Sequence, residues 1–133
     1  MKKIYQNKYG LVDGNCFEAC VATLTGIPLD EIPCFEGEDG SWIGAFFIWG
    51  KEKGYNITRI KDPLSGNIQI SQKTRAIGID NTHAFIVNCN TTFSGKIMTT
   101  TFDLWHNPLK GNNDIDVNKI IVIYIIEKGN NEN

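Results

Sequence analysis

The strongest constraint on the fold is a change of periodicity at Gly54. Before it, apolar residues recur at helical spacing; after it, they alternate and are rich in β-branched side chains. From Asp13 to Gly26 the chain reads DGNCFEACVATLTG, with Phe17, Cys20, Val21 and Leu24 on a helical period and a glycine stop before Pro28. The spacing predicts a first helix with Cys16 in its opening turn. Leu29 to Ile32 predicts one further short turn, and the acidic run Glu36 to Gly40 a surface loop. A second helix is expected from Ser41, as N-cap, to about Lys53, ended by Gly54. Tyr55–Ile60, Ala76–Ile79, Ala84–Cys89, Ile97–Leu104 and Ile120–Ile126 read as strands, separated by the turn-rich segments DPLSGN, NCNTTFSGK and HNPLKGNN. Helices first and an antiparallel sheet second imply an α+β fold with the helices packed on one sheet face. With no repeat and no linker, residues 1–128 are expected to form one domain and residues 129–133 a frayed tail.

Composition excludes several classes of partner. The net charge is −2 and the lysines are scattered, so the footprint of a nucleic-acid binder is missing. No segment is apolar for long enough to predict a membrane span. The opening MKKIYQNKYG turns polar at once, which predicts a cytoplasmic protein rather than an exported one. In that compartment the four cysteines are expected to be thiols rather than disulfides.

Reactivity therefore becomes the question. A thiol at a helix start faces unpaired backbone N–H groups and the positive end of the helix dipole, which favour its thiolate. Cys16 holds that position. A nucleophilic cysteine also needs a base oriented by a third polar group, and the chain has only two histidines, His83 and His106. His83 opens the alternating run HAFIVNC, which places it at a strand end. His106 closes another strand beside Asn107, which Pro108 holds extended. An amide or carboxylate at a neighbouring strand end can accept the second N–H of the base and fix its tautomer.

The order of these residues, Cys at a helix start, His at a strand start and Asn before Pro on the next strand, resembles that of papain-like cysteine peptidases. More narrowly, YGLVDGNCFEACVATLTGIPLDEIP, from Tyr9 to Pro33, is similar to the opening of small C39-like or papain-like proteins encoded by phages and bacteria. The resemblance runs from Tyr9 to Pro108 and is densest over Tyr9 to Pro33. It implies a papain-like cysteine peptidase fold, with Cys16 as nucleophile, His83 as general base and acid, and Asn107 as orienting residue. Asp103 competes for the third role. Such enzymes usually carry a glutamine before the nucleophile that joins the cysteine N–H in the oxyanion hole; Gln6 is the only upstream glutamine here, farther from Cys16 than the pattern expects, and Asn15 or the loop backbone is the substitute. Trp105 and His106 are expected at the cleft.

The implied reaction is acyl transfer on a peptide, protein or other small amide, without a cofactor. The phage-like character of the match implies a host protein target in the bacterial cytoplasm, in host machinery or defence. The alternative is an inactive papain-like scaffold that binds a host protein or sequesters a small ligand.

Other features have plainer readings. Cys20 and Cys89 sit among apolar residues and read as small hydrophobic core members, and Cys34 beside Pro33 reads as filler. The aromatic run Trp42, Phe46, Phe47 and Trp49 reads as core, although its apolar residues spread around the helix and leave one side for a groove or partner. The C-x3-C spacing of Cys16 and Cys20 is not that of a structural zinc knuckle, so no metal is expected.

Overall fold

The computed structural model describes residues 1–9, 14–35, 42–65, 73–111 and 114–129. The expected loop Glu36–Gly40, the Ser41 cap and the tail beyond Gly129 lie outside the described residues. Helix α1 spans Cys16–Thr25 and ends where Gly26 turns left-handed at φ +77° and donates its N–H to the Ala22 carbonyl. A single 3-10 turn follows at Leu29–Glu31. Helix α2 spans Trp42–Glu52, and Gly54 at φ +86° turns the chain into the sheet.

The strands are β1 (Tyr55–Lys61), β2 (Lys73–Ile79), β3 (Ala84–Ser94), β4 (Ile97–His106) and β5 (Val122–Lys128). They form one antiparallel sheet in the order β1-β5-β2-β3-β4. Helix α1 lies on β2 and β3, and α2 on β1. The core between helices and sheet contains Cys20, Val21, Phe46, Ile77, Ile86 and Tyr124. The opposite sheet face is also buried: Phe85, Val87, Cys89 and Ile123 lie beneath Ile115, Val117 and Ile120 from the β4–β5 connection. Burial on both faces explains why Ala84 to Val87 is a continuous apolar run instead of an alternation.

One expectation is corrected. NCNTTFSGK is not a turn as a whole, because β3 continues through it to Ser94. Its β-branched threonines pair across the hairpin, with Thr91 hydrogen-bonded to Thr100 at 3.1 Å, and the reversal is confined to the residues around Gly95 at φ +63°. The polar content of the segment reflects the exposure of this hairpin and not a loss of strand.

A second irregularity matters more for chemistry. Strand β3 pairs Val87 with Leu104 but Ile86 with His106, skipping Trp105. This is a one-residue bulge, and it shifts the pairing of His106, the last residue of β4.

Candidate active site

The site is built where α1 begins and β3 begins. Asn15, the residue before α1, uses its side chain outside the helix: Oδ1 accepts from the backbone N–H groups of Asn7 and Lys8, and Nδ2 donates to Asn7 Oδ1 at 2.7 Å. It therefore makes no side-chain cap on α1. Its backbone N–H meets Lys8 O at 3.2 Å. The opening turn is thus held by the N-terminal segment, while the backbone N–H groups of Cys16 and Phe17 reach the Cys16 thiol.

Burial outweighs these donors. It raises the Cys16 thiol above its ordinary value, against the N–H groups of Ala84, Phe17 and Cys16, and the Glu18 carboxylate raises it further. The helix-start position alone, which favours thiolate, does not settle the charge of this sulfur. Its resting form is the neutral thiol unless a base takes the proton.

His83 is set by the turn joining β2 to β3. Asp80 Oδ1 accepts from the backbone N–H groups of Thr82 and His83, both at 2.8 Å, and Asp80 N–H donates to His83 O at 3.2 Å. This Asx turn fixes the backbone at His83 and directs the next N–H, that of Ala84, to the Cys16 sulfur. Cys16 and His83 line the same cleft, of about 460 Å³, with Phe17, Phe35 and Trp42.

The β4 bulge decides which residue meets His83. The His83 and Phe85 rings lie 6.4 Å apart. With Trp105 skipped, His106 pairs with Ile86, and Asn107 is the first residue past β4. Asn107 Oδ1 lies 2.7 Å from His83 Nε2. The same oxygen accepts the Leu109 backbone N–H at 3.0 Å. A backbone N–H can only donate, so this atom is the amide oxygen, and His83 Nε2 must carry a hydrogen to reach it. The basic nitrogen of the neutral ring is then Nδ1.

Protein-family models and curated proteins contain no match to this chain. The reading of the site rests on its own geometry.

The other expected residues are distributed as follows. Asp103 faces Asn90, whose amide approaches its Oδ2 at 3.4 Å, and pairs across the ladder with Asn88, away from His83. Gln6 is buried; its backbone N–H donates to Pro108 O, next to Asn107, and its Nε2 donates to Lys8 O at 3.0 Å, the carbonyl that also receives Asn15 N–H. A glutamine ten positions from Cys16 in sequence is thereby folded back to the start of α1. Its Oε1 is buried with no hydrogen-bond partner among the described residues.

Trp105 and His106 do not line the Cys16 cleft; they border a separate concavity of about 230 Å³ with Tyr5 and Asn107. The Arg75 guanidinium and the Lys3 ammonium both lie over the Trp105 ring, at 3.9 Å and 4.7 Å from its centroid. His106 donates Nε2–H to Ile4 O and stands edge-on to Tyr5.

Burial lowers the His106 pKa below its ordinary value near 6.5; the Ile4 carbonyl opposes this and the Lys3 charge adds to it. The unfolded chain then binds more protons than the folded one between that lowered value and about pH 6.5. The contribution of a neutral His106 is complete above this window and is lost as pH falls through it. Melting temperatures of the parent are expected to drop between pH 7 and pH 5, and the drop should be smaller in His106→Gln. Parallel declines in both proteins would remove His106 as the cause.

Two cleft residues escaped sequence reasoning. Asp80 carried a signal, the D-x-T pattern of an Asx turn before a strand. Glu18, only 5% exposed, sits one position past Phe17 and is indistinguishable in sequence from a surface helix glutamate. The remaining buried thiols are inert by environment: burial pushes Cys89 up to about 12 and Cys20 well above its ordinary value. Among the described residues no group of three His, Cys, Asp or Glu is placed to hold a metal ion, and no helix is long and apolar enough to cross a membrane.

Proposed function

We propose that this chain is a thiol hydrolase of papain-like fold that acts by acyl transfer on a peptide or other amide. The observation that carries the reading is the 2.7 Å contact between His83 Nε2 and Asn107 Oδ1 in a histidine that shares its cleft with Cys16. Asn107 holds the ring in the tautomer whose free nitrogen is Nδ1, and the Ala84 N–H holds the sulfur at the adjoining residue.

In the proposed cycle His83 Nδ1 takes the Cys16 proton as the sulfur attacks the acyl carbon. The N–H groups of Cys16 and Phe17 stabilise the oxyanion. The imidazolium gives the proton to the leaving amine, an S-acyl bond remains on Cys16, and a water deprotonated by His83 releases the acid. This route begins from the neutral thiol that the burial of Cys16 favours.

The rise in the Cys16 pKa and the commitment of Gln6 Nε2 to Lys8 O favour a second reading, in which the fold is retained as a binding scaffold. The two separate in one experiment. The parent and Cys16→Ala are mixed with a small acetyl thioester, and intact and peptide masses are followed with time. The hydrolase reading expects an acetyl group on Cys16 that forms and then disappears with turnover, and none in the variant. Acetylation confined to exposed Cys34, or equal in the two proteins, supports the scaffold.

A further inference from the structure

The two halves of the proposed site stand on separate parts of the chain. Cys16 opens α1, whereas His83 belongs to the β2–β3 turn and its partner Asn107 follows β4. Residues 4–8 cross between these halves and are fastened to both. On the α1 side, Ile4 N–H donates to Thr23 Oγ1 at 3.0 Å, and the N–H groups of Asn7 and Lys8 donate to Asn15 Oδ1 at 3.1 and 3.0 Å. On the β4 side, His106 donates to Ile4 O, and Gln6 N–H donates to Pro108 O at 3.0 Å. Gln6 Nε2 closes the bracket on Lys8 O, the carbonyl that also receives Asn15 N–H. The bracket therefore ends on the residue before Cys16 and on the residue after Asn107.

Asn15 commits its side chain to this bracket. Oδ1 meets two backbone donors, which fixes the amide one way round, and Nδ2 is then spent on Asn7 Oδ1 rather than on an oxyanion. An asparagine before a helix ordinarily caps it, yet this one makes no side-chain cap on α1. The buried Cys20 and Val21 seat the helix on the sheet, but they lie a turn inward from Cys16. The place of the opening turn is left to the bracket.

We infer that Asn15 is a positioning residue: through Gln6, Asn7 and Lys8 it sets where Cys16 stands relative to the His83–Asn107 pair. This rests on the proposed thiol hydrolase reading, since the placement matters only where His83 takes the Cys16 proton. Proton transfer and attack require hydrogen-bond reach, and a misplacement of about 1 Å costs on the order of 10²-fold in rate.

The test compares the parent, Asn15→Ala, His83→Ala and the double variant with a small acetyl thioester. A bond forms between Cys16 Sγ and the carbonyl carbon, the carbon–sulfur bond of the thioester breaks, and the Cys16 proton passes through His83 to the departing thiolate. Acetylation of Cys16 is followed by peptide mass across the pH range. Asn15→Ala should slow it at pH 7 by roughly 10- to 100-fold, with the deficit closing above about pH 9, where the thiolate needs no base. In the His83→Ala background the same change should leave the rate within about twofold, because no base remains to be misplaced.

Equal losses in the two backgrounds would mean that Asn15 supports the sulfur or the helix by itself, which overturns the inference and leaves the hydrolase reading intact. An unchanged rate for Asn15→Ala with His83 present overturns it equally. A parent no faster than His83→Ala at pH 7 brings down the hydrolase reading, and the inference with it. If circular dichroism shows Asn15→Ala unfolded, Asn7→Ala carries the same four-way comparison. It removes only the Asn15 Nδ2 contact, and its expected loss is smaller, roughly threefold or more, again confined to proteins that keep His83.

Discussion

Replacing His83 by alanine is expected to slow acylation of Cys16 at pH 7 by about 10²–10⁴-fold, the usual contribution of a positioned general base. The deficit should shrink as pH rises. Burial raises the Cys16 thiol above its ordinary value, so without His83 the rate follows a thiolate population that is scarce at pH 7 and grows with pH. On the proposed chemistry, His83 Nδ1 supplies in the parent the acceptor that bulk hydroxide supplies only at high pH. The two pH profiles should therefore be far apart near neutrality and converge above pH 9, and iodoacetamide labelling of Cys16, followed by peptide mass, should show the same convergence. Profiles that coincide throughout would mean that His83 does not handle the Cys16 proton, and the proposed chemistry would fall with it.

That pH dependence comes from a quantity the sequence misrepresents. The helix start at Cys16 was legible from the DGN run and the helical spacing behind it, and helix dipoles favour thiolate there. Burial was not legible, because it depends on β3, which reaches α1 only in three dimensions. Local position and tertiary environment push this thiol in opposite directions, and the environment is the larger effect.

The same division runs through the rest of the molecule. Period and glycine stops located both helices and all five strands, since these are set by residues a few positions apart. The expectation for β3 stopped short because asparagine and threonine in a strand look like a loop when the facing strand is unknown. The expectation that placed His106 at the cleft beside Asn107 failed for a similar reason. They are adjacent, and with Trp105 skipped by the bulge His106 pairs with Ile86 while Asn107 meets His83. A bulge is a property of two strands together, and nothing in DLWHNP announces it. Gln6 is the converse case. Its distance from Cys16 in sequence counted against it, yet the hydrogen bonds at Lys8 O return it to the helix start.

The second large effect is expected in stability, from Phe46→Ala. Phe46 is fully buried on the α2 face that meets the sheet, and its ring lies 4.9 Å from Phe17, 5.2 Å from Phe35 and 5.7 Å from Tyr124. Truncation removes the ring from the centre of an aromatic cluster held by three separate chain segments, and such clusters collapse poorly. The expected cost is about 3–5 kcal/mol, a large share of the roughly 5–15 kcal/mol that a domain has in total. Phe46→Leu, which refills most of the volume, should cost under about 1.5 kcal/mol. Urea unfolding of the three proteins measures both differences. Because Phe17 and Phe35 also line the Cys16 cleft, the loss is expected to reach the site as well. At temperatures where Phe46→Ala is still folded, Cys16 should label faster with iodoacetamide than in the parent at pH 8, since a loosened wall admits water and lowers the desolvation that holds the thiol neutral. A cost below about 1 kcal/mol, with unchanged labelling, would show that the aromatic cluster is neither the main support of the core nor the cause of the dry environment around Cys16.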